Sequence, residues 1–272
     1  MDLLLIGPGR AGMALGLRAL SSGHRIRGVV GRTDDATEAA ADRLAAHGLS
    51  WDDAFPTVDL VVLAVRDDDL PSVATLTADR VDDAGGAIHV AGLVGVGVLD
   101  PLAARGVPTA SFHPLQTLPD PDAGAAALEG AWVGIASDDD LFADRLFAFA
   151  ADLGMRPFEL PEEAKATYHA AAAAAANFPL TALVMARRLF EASGVPFGAA
   201  RPLVEAIVAN AFDLGPETAL TGPVARGDVG TVQAQLDAVA AAAPDMAEHF
   251  AALVRATAHV AGTSAAFEGI AP

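Results

Sequence analysis

Apolar positions follow two different rhythms along this chain. Through residue 160, short apolar runs recur between longer amphipathic stretches. The runs at Leu3–Ile6, His24–Val30, Asp59–Val65, Ala87–Ala91, Val107–Phe112, Trp132–Ala136 and Met155–Leu160 read as strands. Between them, Ala36–His47, Leu70–Ala78, Leu99–Arg105 and Leu141–Leu153 read as helices. Strands that are apolar throughout, rather than at alternate positions, must be covered on both faces, and helices in between supply the cover. That alternation predicts an α/β fold with a parallel, doubly wound sheet. From Pro161 onward strand-like runs stop, and the chain reads as helices broken at Gly194, Gly215, Gly222 and Pro244. Residues 1–160 are therefore expected to form one domain and residues 161–272 a second, all-α domain.

The first strand runs directly into Gly7-Pro8-Gly9-Arg10-Ala11-Gly12 and then an apolar helix. Gly7 allows a tight turn, Gly9 lets the backbone approach a phosphate, and Gly12 lets helix and strand pack closely. The free N–H groups of the first helical turn favour an anion. This strand–turn–helix order is the one that presents a dinucleotide pyrophosphate to a helix end. About 20 residues further on, where an acidic residue would accept from a ribose 2′-hydroxyl, the chain has Arg32 and Thr33. A guanidinium and a hydroxyl suit a 2′-phosphate, so the expected cofactor is NADP. Asp34 and Asp35 read as the opening turn of the next helix. Val65 and Arg66, after the strand at Asp59–Val65, are expected to line the cofactor channel.

Composition narrows the function classes. The net charge of −18 argues against nucleic acid or an anionic membrane as partner. There is no cysteine, which removes disulfides, thiolate chemistry and cysteine-ligated metals. No charged-then-apolar leader precedes the first strand. Ala170–Ala186 is the stretch that could mimic a membrane span, but it is mostly alanine and contains Asn177 and Pro179. A cytoplasmic protein is expected.

Lys165 is the only lysine among 17 basic residues, and Tyr168 is the only tyrosine. On a helix, Lys165, Tyr168 and His169 share a face. A lysine can be made a general acid by burial, which an arginine cannot. Alternatively, Glu162 and Glu163 make Lys165 an ordinary surface ion. The segment Ser111-Phe112-His113-Pro114-Leu115-Gln116-Thr117 follows a strand, and loops beyond strand carboxyl ends line the ligand crevice of such sheets. His113, Gln116 and Thr117 are thus expected near a nicotinamide, while His89, inside an apolar strand, reads as structural. Leu220–Asp228 combines two glycines, a proline, Thr221, Arg226 and Asp228. It reads as a carboxylate receptor, or else as an Arg226–Asp228 pair that caps the following helix.

With these residues in view, the chain resembles predicted oxidoreductases that join a Rossmann-like domain to the helical DUF2520 domain. The stretches that carry the resemblance are GPGRAGMALG, GRT, IHVAG, SFHPLQTL, KATYHAAAAAAANF and ALTGPVARGD. More distantly, the layout is similar to pyrroline-5-carboxylate reductases and 6-phosphogluconate-type dehydrogenases, and His113-Pro114 to the turn of prephenate dehydrogenases. The resemblance implies hydride transfer from NADPH to a small carboxylated substrate, with ketopantoate as first candidate. Arg226 and Thr221 would hold the carboxylate; Asn177, Gln116, Thr117 and Tyr168 would orient the substrate. Lys165, His113 or His169 would supply the proton. It also implies a homodimer. A cyclic-imine reductase and a non-catalytic NADP sensor are the competing expectations.

Overall fold

The computed structural model describes residues 1–81 and 83–270. The chain divides into two compact units, Met1–Ala174 and Ala175–Pro272. The strands of the first unit are β1 (Asp2–Ile6), β2 (Arg25–Val30), β3 (His47–Leu49), β4 (Leu60–Leu63), β5 (Ala87–His89), β6 (Thr109–Pro114), β7 (Trp132–Ser137) and β8 (Arg156–Glu159). They form one sheet in the order β3-β2-β1-β4-β5-β6-β7-β8. All neighbours are parallel except β6 and β7, which are antiparallel.

Helices α1 (Arg10–Ser21), α2 (Asp34–Arg43), α3 (Leu70–Ala78), α4 (Asp100–Ala103), α5 (Pro121–Ala127) and α6 (Asp140–Asp152) lie along the sheet unit. The strand period of two explains the two cores. Leu3 and Leu5 pack with α1, α2 and α6 residues such as Leu15, Ala40, Phe142 and Phe149. Leu4 and Ile6, pointing the other way, pack with Leu70, Ala74 and Leu102. Burying each such leucine stabilises the fold by about 1.5–3 kcal/mol.

Several elements differ from the sequence expectation. His47 begins β3 rather than ending a helix, because α2 stops at Arg43 and the chain turns through Ala45 at φ 48°. The Leu99–Arg105 helix is shorter: a 3-10 turn at Val96–Leu99 leads into α4. Helix α5, which the apolar pattern did not mark, is opened by Asp120, whose side chain accepts from Asp122 N and Ala123 N. It packs on α1 through Gly124, where a Cβ would stand 2.9 Å from that of Ala14. The strand expected to end at Phe112 runs on through His113 and Pro114, which pair with Gly134 and Val133 of β7.

Helix α7 (Lys165–Ala192) is continuous through Pro179. By length and composition it could cross a membrane, and only 6% of its most apolar window is buried. Its first turn nevertheless carries a buried lysine, as a helix of a globular unit does. The second unit contains the rest of α7, then α8 (Arg201–Leu214), α9 (Pro216–Ala219), α10 (Val229–Ala242) and α11 (Ala247–Val260). Its core joins Val232 and Leu236 of α10 to Ala251, Val254 and Ala258 of α11, closed by Phe267.

The Gly7–Gly12 turn is the tightest point of the sheet unit. Gly7 has φ +92°, and a Cβ there would stand 2.7 Å from the carbonyl oxygen of Ala64. A Cβ on Gly12 would collide with the Gly7 carbonyl. Gly12→Ala is therefore expected to cost on the order of 1–3 kcal/mol, read as a lower thermal midpoint. A variant as stable as wild type would show that the turn yields freely.

Candidate active site

The strand order reverses between β1 and β4, so the crevice at their carboxyl ends is the point where such sheets bind ligands. Gly7 and Val65 face each other there, with a Gly7 Cβ placed 2.7 Å from Val65 Cγ1. Gly9 caps α1 without any side-chain hydrogen bond, no acidic residue stands in the first turn, and a Cβ on Gly9 would meet nothing within 4 Å. An uncapped helix end with open space before it and no repelling carboxylate fits an anionic pyrophosphate. Arg10 is exposed and Ala11 half-buried beside it. At the end of β2, Pro8 lies against Gly31, and Arg32 is exposed. Thr33 is the N-cap of α2 and accepts from Ala36 N at 3.4 Å, so its hydroxyl already has a structural task. Asp34 and Asp35 form the first turn of α2, as expected. Arg66 is exposed ahead of the 3-10 turn Asp67–Asp69.

Further along the same carboxyl edge, β5, β6 and the start of α7 bring a second group together. Lys165 is 3% exposed. Its Nζ donates to the carbonyl of Val94 at 2.8 Å and to Ser111 Oγ at 2.8 Å, and pairs with Glu162 Oε1 at 3.0 Å. Glu162 also accepts from Val96 N at 3.2 Å. The ion pair with Glu162 that the sequence suggested does form, but from inside the fold rather than on its surface. Burial lowers the Lys165 pKa, and the Glu162 carboxylate opposes that.

His113 points from β6 toward α7, with Nδ1 2.9 Å from Tyr168 OH and the two rings edge to face. Burial, then the neighbouring His169 and Lys165, lower its pKa to about 4. Burial raises the Tyr168 phenol to about 12. His169 is exposed, its ring centroid 6.2 Å from that of His113. Phe158 of β8 backs Tyr168 at 5.9 Å. His89 is fully buried in β5, its Nδ1 accepting from Ala91 N at 3.3 Å, and burial and the Lys165 charge lower its pKa to about 3.

The remaining predicted substrate-binding residues are exposed. Gln116 and Thr117 are exposed; Gln116 donates to the Ala127 carbonyl and accepts from Thr117 N. In the second unit, Asn177 and Thr221 are exposed, and so is Arg226. Asp228 accepts from Thr231 N at 3.1 Å and Thr231 Oγ1 at 2.7 Å, so it caps α10, as the second reading of that loop expected.

Sequence reasoning did not single out Gly92, where a Cβ would come within 2.7 Å of both His113 Nε2 and His169 Cδ2. Nor did it place Val94 and Ser111 around the lysine. The glycines at 92, 95 and 97 were the available signal for a loop that others must approach closely, and at Gly95 a Cβ would stand 2.6 Å from Glu162 Oε2.

The sheet order, the glycine turn and the helical second unit define a nucleotide-binding-type α/β protein with a helical appendage. The chain carries a Rossmann-like domain matched over residues 1–114, followed by the domain of unknown function DUF2520 matched over residues 131–257. Among solved structures it is similar to a Bacteroides fragilis protein named as a candidate NADP oxidoreductase: 22% identity over 95% of this chain and 98% of that one, TM-score 0.81. A Thermotoga maritima protein matches at 21% identity over 97% and 100%, TM-score 0.71. An imine reductase from Myxococcus stipitatus, solved with NADP+, matches at 16% identity over 97% and 94%, TM-score 0.64. At these identities the likeness is one of fold. No curated protein matches in sequence.

The lowered histidine values couple the site to acid stability. A histidine held below its usual 6.5 binds fewer protons folded than unfolded, so its contribution is complete above pH 6.5 and is lost as pH falls toward 4. His113 is expected to cost on the order of 2 kcal/mol between pH 7 and pH 4. Urea unfolding of wild type and His113→Asn across that range should show a shallower slope for the variant; parallel slopes would place His113 in an unperturbed setting.

Proposed function

We propose that this chain is an NADPH-dependent reductase that transfers hydride to the C=O or C=N carbon of a small carboxylated substrate. The observation that carries this reading is the placement of two features on one carboxyl edge of the sheet. One is the uncapped α1 terminus behind Gly7–Gly12; the other is the His113–Tyr168–His169 cluster at the end of β6. Bound there, the nicotinamide would supply the hydride. The residues that would hold the cofactor are Gly7, Pro8, Gly9, Arg10, Ala11 and Gly12 at the phosphates, with Val65 and Arg66 alongside. Arg32 would hold the 2′-phosphate, and Thr33, through its backbone end of the turn, would support it. The names of the similar solved structures, an NADP oxidoreductase candidate and an imine reductase with NADP+, support the cofactor and the reaction type. Ketopantoate and related 2-oxo acids are the first substrates to test, with Arg226 as the carboxylate partner on chemical grounds. Cyclic imines are the second class, favoured by the imine-reductase likeness. A protein that binds NADPH without turning over either class would be a sensor.

Titration calorimetry with NADPH and NADH tests this directly. NADPH is expected to bind at least tenfold more tightly, and Arg32→Asp to remove that preference while sparing NADH. Equal losses for both cofactors would withdraw the NADP assignment, and no uptake of either would withdraw the function.

We further propose that a second copy of the chain covers the apolar side chains left exposed in the second unit. Phe178 and Leu180 of α7 and Leu203, Ile207 and Phe212 of α8 all stand in solvent, Phe212 at 89% exposure, and α8 has no buried residue. Patches of this kind mark interaction surfaces. Sedimentation at micromolar concentration is expected to give a dimer mass, and Phe212→Asp with Ile207→Asp a monomer; a monomeric wild type would overturn this.

A further inference from the structure

Of the three expected proton donors, Lys165, His113 and His169, the geometry separates the two that are held by other elements, Lys165 and His113. An ammonium has three N–H groups, and those of Lys165 meet three acceptors: the Val94 carbonyl at 2.8 Å, Ser111 Oγ at 2.8 Å and Glu162 Oε1 at 3.0 Å. None is left for a substrate, and the side chain is 3% exposed. To donate, Lys165 would have to leave both the loop after β5 and β6 itself.

His113 is arranged the other way. Its Nδ1 has one partner, Tyr168 OH at 2.9 Å, and among the described residues that phenol has no other acceptor for its single proton. With the O–H donating to Nδ1, the ring proton stands on Nε2. Nε2 makes no hydrogen bond among the described residues, and its edge is bordered by Gly92, where an absent side chain keeps the ring uncovered.

We propose that His113 Nε2–H is the proton donor of this site, that Tyr168 is the group that resupplies it through Nδ1, and that Lys165 is a positioning residue. The inference rests on the reductase reading. In the step, hydride from a reduced nicotinamide adds to the substrate carbon and the C=O or C=N π pair moves to the heteroatom. The Nε2–H bond breaks as the heteroatom–H bond forms, while the Tyr168 O–H breaks as Nδ1–H forms. The ring stays neutral throughout, and the starting state returns when Nε2 takes a proton from water as the Nδ1 proton goes back to the phenolate.

Lys165 acts through the frame. By holding Val94 it fixes the loop that presents Gly92 to His113, and with Glu162 it ties that loop to α7. The charged and titratable groups around the His113 ring are Tyr168, His169 and Lys165 of α7 and His89 of β5. Burial, then the neighbouring His169 and Lys165, lower the ring's pKa to about 4, as a relay through a neutral imidazole requires.

The test uses the full chain with ring-15N histidine, assigned by His113→Asn. His113 is expected to show a protonated Nε2 and an unprotonated Nδ1 from pH 5.5 to 8. Tyr168→Phe should mix the two tautomers, and a Lys165→Met variant that remains folded should keep the Nε2–H tautomer. A protonated Nδ1 in wild type, or a tautomer indifferent to Tyr168→Phe, would overturn the proposal even if no substrate is found. With ketopantoate and a 1-pyrroline carboxylate as probes, His113→Asn should lower kcat by about 10²–10⁴-fold with NADPH affinity by calorimetry unchanged. Full turnover in that variant would overturn the donor assignment. Failure of wild type to bind NADPH would sink the reductase reading instead, and leave the tautomer result standing by itself.

Discussion

One buried ammonium organises the carboxyl edge of the sheet. Lys165 reaches from the first residue of α7 into a space bounded by β6 and the loop after β5, and it carries a charge where charge is costly. It is tolerated because each of its protons has an acceptor and one of those acceptors is a carboxylate. Removing Glu162 would leave the charge without its counter-ion, and removing the Ser111 hydroxyl would leave a buried N–H without an acceptor. The Gly-rich loop from Gly92 to Gly97 can approach α7 closely, and Glu162 fills the space that a side chain at Gly95 would occupy. The local sequence is therefore selected by contact, with glycines opposite a glutamate and two imidazoles.

From that anchor the electrostatics of the site follow. The same positive charge that holds the loop discourages protonation of His113 and His89, and burial does the larger part of the work. The chain as a whole is strongly acidic, yet this edge holds His113 and His89 with lowered pKa values, Tyr168 with a raised one and a compensated lysine. The opposite end of the crevice, at the α1 terminus, is left to backbone donors with no carboxylate in the first turn. For the proposed anionic cofactor, repulsion by the net charge would be countered locally, where short distance makes each donor count most.

Much of the fold was legible because its signals are local. A strand apolar on every position, followed by glycines at spacing two and three and an apolar helix, admits few arrangements. The capping role of Asp228 was legible as a short polar side chain just before a helix; those of Thr33, Asp120 and Asp139 were not singled out, and α5 was passed over because its seven residues are too short to show a period. The strand β3 was hidden by an alanine-rich helix ahead of it. The extension of β6 through His113 and Pro114 was hidden because it depends on an antiparallel partner more than 15 residues away, which no local pattern announces.

The candidate site shows the same division more sharply. Sequence alone determined that Gly7–Gly12 would lead a strand into a helix and that Lys165, Tyr168 and His169 would share a helix face, since both depend on spacing within a short stretch of chain. Only the tertiary structure decided that the lysine points inward to Ser111 and Val94, and that the tyrosine meets His113 across 55 residues of chain. The physical reason is that whether a polar group is an exposed ion, a buried tie or a proton donor depends on which acceptors surround it. Those acceptors come from strands and loops brought together by the sheet.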